Sequence, residues 1–127
     1  MNITVEAHST VPPYEQVRAR IAELAGNAEL PAGTRLPTVR QLAGELNLAV
    51  NTVARAYREL ETAGLVETRG RNGTFVTARA AGVPAEAERL AAAYVAATRR
   101  LGLSADRAIG LVQAALANPT NPGYPGS

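Results

Sequence analysis

The stretch NLAVNTVARAYRELETAG, residues 47–64, holds the side chains best suited to chemistry. Drawn as a helix at about 100° per residue, it has two faces. Val53, Ala56, Tyr57 and Leu60 fall on one, and Asn51, Arg55, Arg58 and Thr62 on the other. The apolar side is a core face. The polar side carries an amide, a hydroxyl and guanidinium groups, which are shaped for base edges and phosphates. Asn51 can pair with adenine through two hydrogen bonds, and Thr52 beside it can touch a thymine methyl or a phosphate. Arg55, a turn further on, can fork onto guanine or grip a phosphate, and Arg58 suits the backbone. The competing reading is a solvated face paired to Glu59 and Glu61.

More such groups flank this stretch. Thr38 and Arg40 stand where a preceding helix begins, a natural seat for a phosphate, with Arg35 just before them. Arg69 precedes GRNG, residues 70–73, and Arg71 lies within it; Gly70 and Gly73 permit a close approach to a groove. Thr38 also works as a plain helix cap, and the two arginines as solubilisers of an exposed hairpin.

Other chemistries lack their residues. The chain of 127 residues has no Cys, His8 is its one histidine and Asp106 its one aspartate. Disulfides, thiolate metal sites and a Cys nucleophile are thereby excluded, a His-based zinc site lacks ligands, and no triad is in view. No metal, cofactor or enzyme activity is expected. Positive charge concentrates in the middle. Residues 35–79 hold seven arginines against four glutamates, and the remainder six arginines against seven acids. That distribution suits a polyanion partner. The absence of Lys says nothing further, because a GC-rich coding sequence produces the same bias.

These residues need elements to position them. ITVE, residues 3–6, alternates and predicts a short strand. A first helix is expected over 13–26, with Pro13 in its first turn and Tyr14, Val17, Ile21 and Leu24 as a buried stripe. A second follows Thr38, which with Gln41 makes a capping box; Val39, Leu42 and Leu46 face inward, and Asn47 ends the helix in left-handed geometry. The third runs over about 50–63 and stops at Gly64. Leu65–Arg69 and Thr74–Thr77 read as strands of a hairpin. Residues 80–84 read as a linker. Two Ala-rich helices follow, parted by Gly102, with Ser104 capping the second and Asp106 in its first turn.

The expected fold is therefore mainly α with a small β-hairpin. Residues 1–79 form a winged helix-turn-helix, which holds the third helix outward for a major groove, and 85–117 form a two-helix segment. Residues 118–127 are expected to be a disordered tail. The segment's stripes are Leu90, Tyr94, Ala97 and Leu101 on one helix, and Ile109, Val112 and Leu116 on the other. Two such helices cannot bury both stripes alone. A twofold mate buries them and makes a homodimer; folding back onto the winged domain is the alternative.

The run RLPTVRQLAGELNLAVNTVARAYRELETAGLVETRGRNGTFV resembles the DNA-binding domain of the GntR family of bacterial transcription regulators. The matching residues are Arg35–Thr38, Arg40, Leu42–Ala43, Asn51–Val53, Ala56–Tyr57, Leu60–Glu61, Gly64–Leu65 and Gly73–Val76. With the first helix the likeness covers about residues 10–78. It implies dimeric binding to a palindromic operator, usually as a repressor. By motif position Arg40, Asn51, Thr52, Arg55 and the wing inherit the DNA contacts. Ala49 stands where the family often has Ser or Thr, and Val50 where some relatives carry Arg. The short helical tail is similar to that of the YtrA subfamily, where it dimerises.

The sequence thus predicts a cytoplasmic, sequence-specific regulator of double-stranded DNA. The alternative is a winged helix kept as a protein-docking module, which should have shed the arginines retained here. No polar cluster marks an effector pocket, so any small-molecule effector is unknown. No membrane span or signal peptide is visible.

Overall fold

The computed structural model describes residues 1–118. Five helices and one hairpin follow in order: α1 (Pro13–Gly26), α2 (Val39–Leu46), α3 (Val50–Thr62), β1 (Val66–Thr68), β2 (Thr74–Val76), α4 (Ala78–Arg100) and α5 (Ala105–Ala117). A single 3₁₀ turn, Gly70–Asn72, joins the strands. The expected tail, 118–127, lies outside the described residues apart from Asn118. The chain divides into two compact units, Met1–Pro84 and the part from Ala85 onward.

In the first unit, α1 crosses α3 and α2 packs on α3. Val17, Ile21, Leu42, Val53, Leu60 and Val76 are fully buried at their junction. Each helix presents its apolar residues three and four apart, so each has one side to hide. Thr38 caps α2: its hydroxyl accepts from the Gln41 N–H at 3.1 Å, and the Gln41 side chain accepts from the Thr38 N–H at 2.9 Å. Asn47 closes α2 at φ 55°, and Gly64 ends α3 at φ +78°.

β1 and β2 pair antiparallel, with Val66 opposite Val76, Glu67 opposite Phe75 and Thr68 opposite Thr74. The connector adds a third member. Gly33 N–H donates to Val76 at 2.8 Å, Val76 N–H to Thr34 at 2.9 Å and Leu36 N–H to Thr74 at 2.8 Å.

Two expectations fail. ITVE forms no strand, and residues 33–36 take the edge of β2 that faces away from β1. Ile3 instead sinks into the core, and Arg20 Nε donates to the Asn2 carbonyl at 3.2 Å. Residues 80–84 are not a linker but helical turns of α4. Ala80 is buried and Val83 packs against the core. The Pro84 ring packs against Gly26, where an added Cβ would lie 3.2 Å from it. Proline forfeits one helical hydrogen bond and sterically opposes the preceding turn; burial of Ala80 and Val83 on the same side offsets that cost.

In the second unit, α4 turns into α5 through Gly102 at φ +81°, and Ser104 caps α5 by accepting from the Arg107 N–H at 3.2 Å. Tyr94 donates its hydroxyl to the Ala108 carbonyl at 2.8 Å, and Thr98 returns its hydroxyl to the Tyr94 carbonyl at 3.0 Å.

Candidate nucleic-acid interface

The α2–α3 corner is fastened from inside. Tyr57, buried on α3, donates to the Pro37 carbonyl at 2.7 Å. Burial, and then the charge of Glu45, holds its hydroxyl above the ordinary tyrosine pKa, so it stays a donor throughout the neutral range. With Val53, Ala56, Tyr57 and Leu60 turned in, Asn51, Arg55 and Arg58 are exposed on α3 and Thr52 is half-buried. Ala49 gives α3 no side-chain cap, and Val50 leaves an apolar surface, 45% exposed, at its start. Arg40 is exposed in the first turn of α2, two residues from the Thr38 cap.

Sequence order places Arg35 beside α2, but the fold gives it to the wing. Its backbone bridges Phe75 of β2. Its guanidinium lies over Gly73, so that a Cβ there would come within 2.7 Å of Arg35 Nε. Gly73 also has φ +112°, a conformation that L side chains rarely adopt. The backbone conformation is what favours glycine, since the flexible, exposed Arg35 side chain can give way. Arg71 is exposed in the 3₁₀ turn. Arg69 Nε donates to Glu67 at 2.6 Å while its guanidinium lies 4.4 Å from the centre of the Phe75 ring. Thr68 ties the wing to α3 by donating to Glu61 at 3.0 Å.

Arg55 is also held. Its guanidinium stacks 3.7 Å from the centre of the Tyr14 ring, and its Nε donates to Glu59 at 3.2 Å. The side chains of Arg40, Arg58 and Arg71 make no hydrogen bond or ion pair among the described residues. The predicted residues thus sort into three stations: Thr38 and Arg40 at the head of α2, Asn51, Thr52, Arg55 and Arg58 on α3, and Arg35, Arg69, Arg71 and Gly73 on the wing. Sequence reasoning missed Tyr14 and Phe75 as partners of arginines. Tyr14 has helical core spacing and is only half-buried; no local pattern signals a ring 41 positions from its cation.

In the second unit the stripe residues part company. Tyr94 and Ala97 are half-buried, but Leu90 is 66% exposed, Leu101 77%, Ile109 56%, Val112 42% and Leu116 64%. A mainly apolar groove of about 750 Å³ lies between α4 and α5, lined by Leu90, Tyr94, Val95, Leu103, Ile109 and Val112 among others. Among the described residues no cluster of His, Cys, Asp and Glu fit for a metal occurs, and no helix is long and apolar enough to cross a membrane.

The model of the gntR family of bacterial regulatory proteins matches residues 13–76. The HTH-type transcriptional regulator Rv1152 of Mycobacterium tuberculosis is 49% identical over 104 residues, which are 80% of this chain and 84% of that protein. The HTH-type transcriptional repressor YtrA of Bacillus subtilis is 37% identical over 78 residues, 61% of this chain and 60% of that one. The crystal structure of a transcriptional regulator from Oenococcus oeni superposes with a TM-score of 0.60 at 31% identity, covering 88% of this chain and 97% of the other.

Proposed function

The chain belongs to the GntR family of bacterial regulatory proteins, a DNA-binding transcription regulator and no enzyme, and from that premise we propose that it is a repressor that binds an inverted-repeat operator as a homodimer. The observation that carries this reading is the partition of α3. Its apolar residues close the core while Asn51, Arg55 and Arg58 face solvent, alongside a wing carrying Arg35, Arg69 and Arg71. Asn51 and Thr52 read base edges from the first turn of α3. Arg40, with Thr38 at the head of α2, seats a phosphate. Arg58 follows the backbone, and the wing meets the neighbouring groove.

Dimerisation rests on the apolar groove of α4 and α5. Leu90, Tyr94, Ile109 and Val112 line that groove, while Ala97, Leu101 and Leu116 lie outside its lining; a twofold mate covers all seven. Such a dimer sets two recognition helices about 34 Å apart, one turn of duplex. The repressor role is supported by the likeness to the Bacillus YtrA repressor. A repressor works beside its promoter, so the place of action is the cytoplasm.

Selection of genomic fragments, followed by mobility shifts against random competitor and by sedimentation, tests the reading. A retarded complex on a symmetric site, formed by a dimer, is expected. Equal displacement by random DNA overturns sequence specificity, and a monomer at micromolar concentration overturns the dimer.

A further inference from the structure

Two arginines, Arg55 on α3 and Arg69 on the wing, share one arrangement. Each guanidinium lies over an aromatic ring: Tyr14 at 3.7 Å for Arg55 and Phe75 at 4.4 Å for Arg69. Each gives its Nε to a carboxylate: Glu59 at 3.2 Å and Glu67 at 2.6 Å. Both side chains are about half exposed, 54% and 50%. In neither case does a terminal Nη group make a hydrogen bond among the described residues. The ring fixes the plane of the guanidinium, the carboxylate fixes its rotation, and the Nη edge stays open.

We propose that these are two pre-set phosphate forks, in which Tyr14 and Glu59, and Phe75 and Glu67, are positioning residues for DNA binding through Arg55 and Arg69. The inference rests on the DNA-binding function proposed above and assigns Arg55 to the phosphate backbone rather than to guanine. A free arginine loses much rotamer freedom on binding, and one already held loses less. The Nη edge is the side of the fork that meets a phosphate oxygen. The carboxylate draws on Nε alone, so it need not leave when phosphate arrives. Stacking within about 6 Å of a ring centre is attractive for a guanidinium, and more so once water is displaced. The two cradles are built from different elements, α1 with α3 and the two strands of the wing, so each can be tested without the other.

Phosphate contacts are independent of sequence, so the probe is a fluorescent random-sequence duplex of about 30 base pairs titrated over a range of salt. Arg55→Ala and Arg69→Ala should each lower the slope of log Kd against log salt by about one counterion per protomer. Tyr14→Leu should weaken binding by about 2- to 10-fold with the slope kept, because the charge remains and only its ordering is lost. Tyr14→Phe, which keeps the ring, should restore the affinity. Added to Arg55→Ala, Tyr14→Leu should cost nothing further; Phe75→Leu should behave likewise toward Arg69→Ala. An unchanged salt slope in the arginine variants overturns the inference. So does an equal loss from Tyr14→Leu with and without Arg55, which would make the ring mere packing. Failure of the unaltered protein to bind any duplex overturns the function itself, and is thereby distinguishable.

Discussion

Two regions of this molecule use similar apolar content to opposite ends. The unit Met1–Pro84 closes on itself: Val17, Ile21, Leu42, Val53, Leu60 and Val76 leave almost no surface in water. Among the described residues from Ala85 onward only Thr98 and Ala108 are buried, while Leu90, Leu101, Ile109 and Leu116 are each more than half exposed. The difference follows from geometry. Three helices and a hairpin surround a centre, whereas two helices have only one shared seam and leave the other sides open. The winged unit therefore completes its core from its own chain. The helical pair leaves apolar side chains in water, and the dimer proposed above would cover them.

The largest expected contrast comes from one substitution placed in each region. Leu42→Ala should destabilise the winged unit by about 2–5 kcal/mol in urea unfolding, since it empties a closed core. Leu101→Ala, at dilutions where the chain is monomeric, should change stability by less than about 0.5 kcal/mol. The same Leu101 variant should instead weaken self-association in sedimentation. If Leu101→Ala destabilises the dilute chain as much as Leu42→Ala does, the helical pair has a closed core after all and the contrast breaks.

Within the winged unit the comparison sharpens between α3 and α2. Asn51→Ala should lose about 1–3 kcal/mol of discrimination at one base pair of the operator, measured by titrating site variants. Arg40→Ala should weaken binding across all sequences and lower the salt slope by about one. Equal losses on operator and random duplexes for both variants would dissolve that division of labour. Thr38→Ala should cost about 1 kcal/mol of thermal or urea stability, because the Gln41 N–H loses its acceptor at the start of α2.

Much of the fold was legible because its signals are local. Pro13 set the start of α1, the Thr38–Gln41 pair the start of α2, and Asn47, Gly64 and Gly102 the ends of helices. Each acts within one turn of backbone. The errors arose where the outcome depended on distant partners. ITVE has a strand's alternation, but the fold buries Ile3 in the core and pairs the second edge of β2 with residues 33–36. AAGVP has a linker's composition, but Ala80 and Val83 found core to cover.

The candidate interface divides the same way. Which residue types face outward on α3 was readable from a repeat of 3.6, since burial of Val53, Ala56, Tyr57 and Leu60 fixes the opposite side. The state of each arginine was not, because it depends on what other elements bring within reach.

Sequence alone determined α1, α2, α3 and α5, the Thr38 and Ser104 caps, the hairpin and the concentration of positive charge, all consequences of spacing along the chain. Only the tertiary structure decided that Arg35 belongs to the wing, that Arg55 and Arg69 rest on aromatic rings, and that the side chains of Arg40, Arg58 and Arg71 stand free of any hydrogen bond or ion pair among the described residues. Stacking and ion pairing act over a few ångströms between residues up to 41 positions apart, and only the packed chain brings them together.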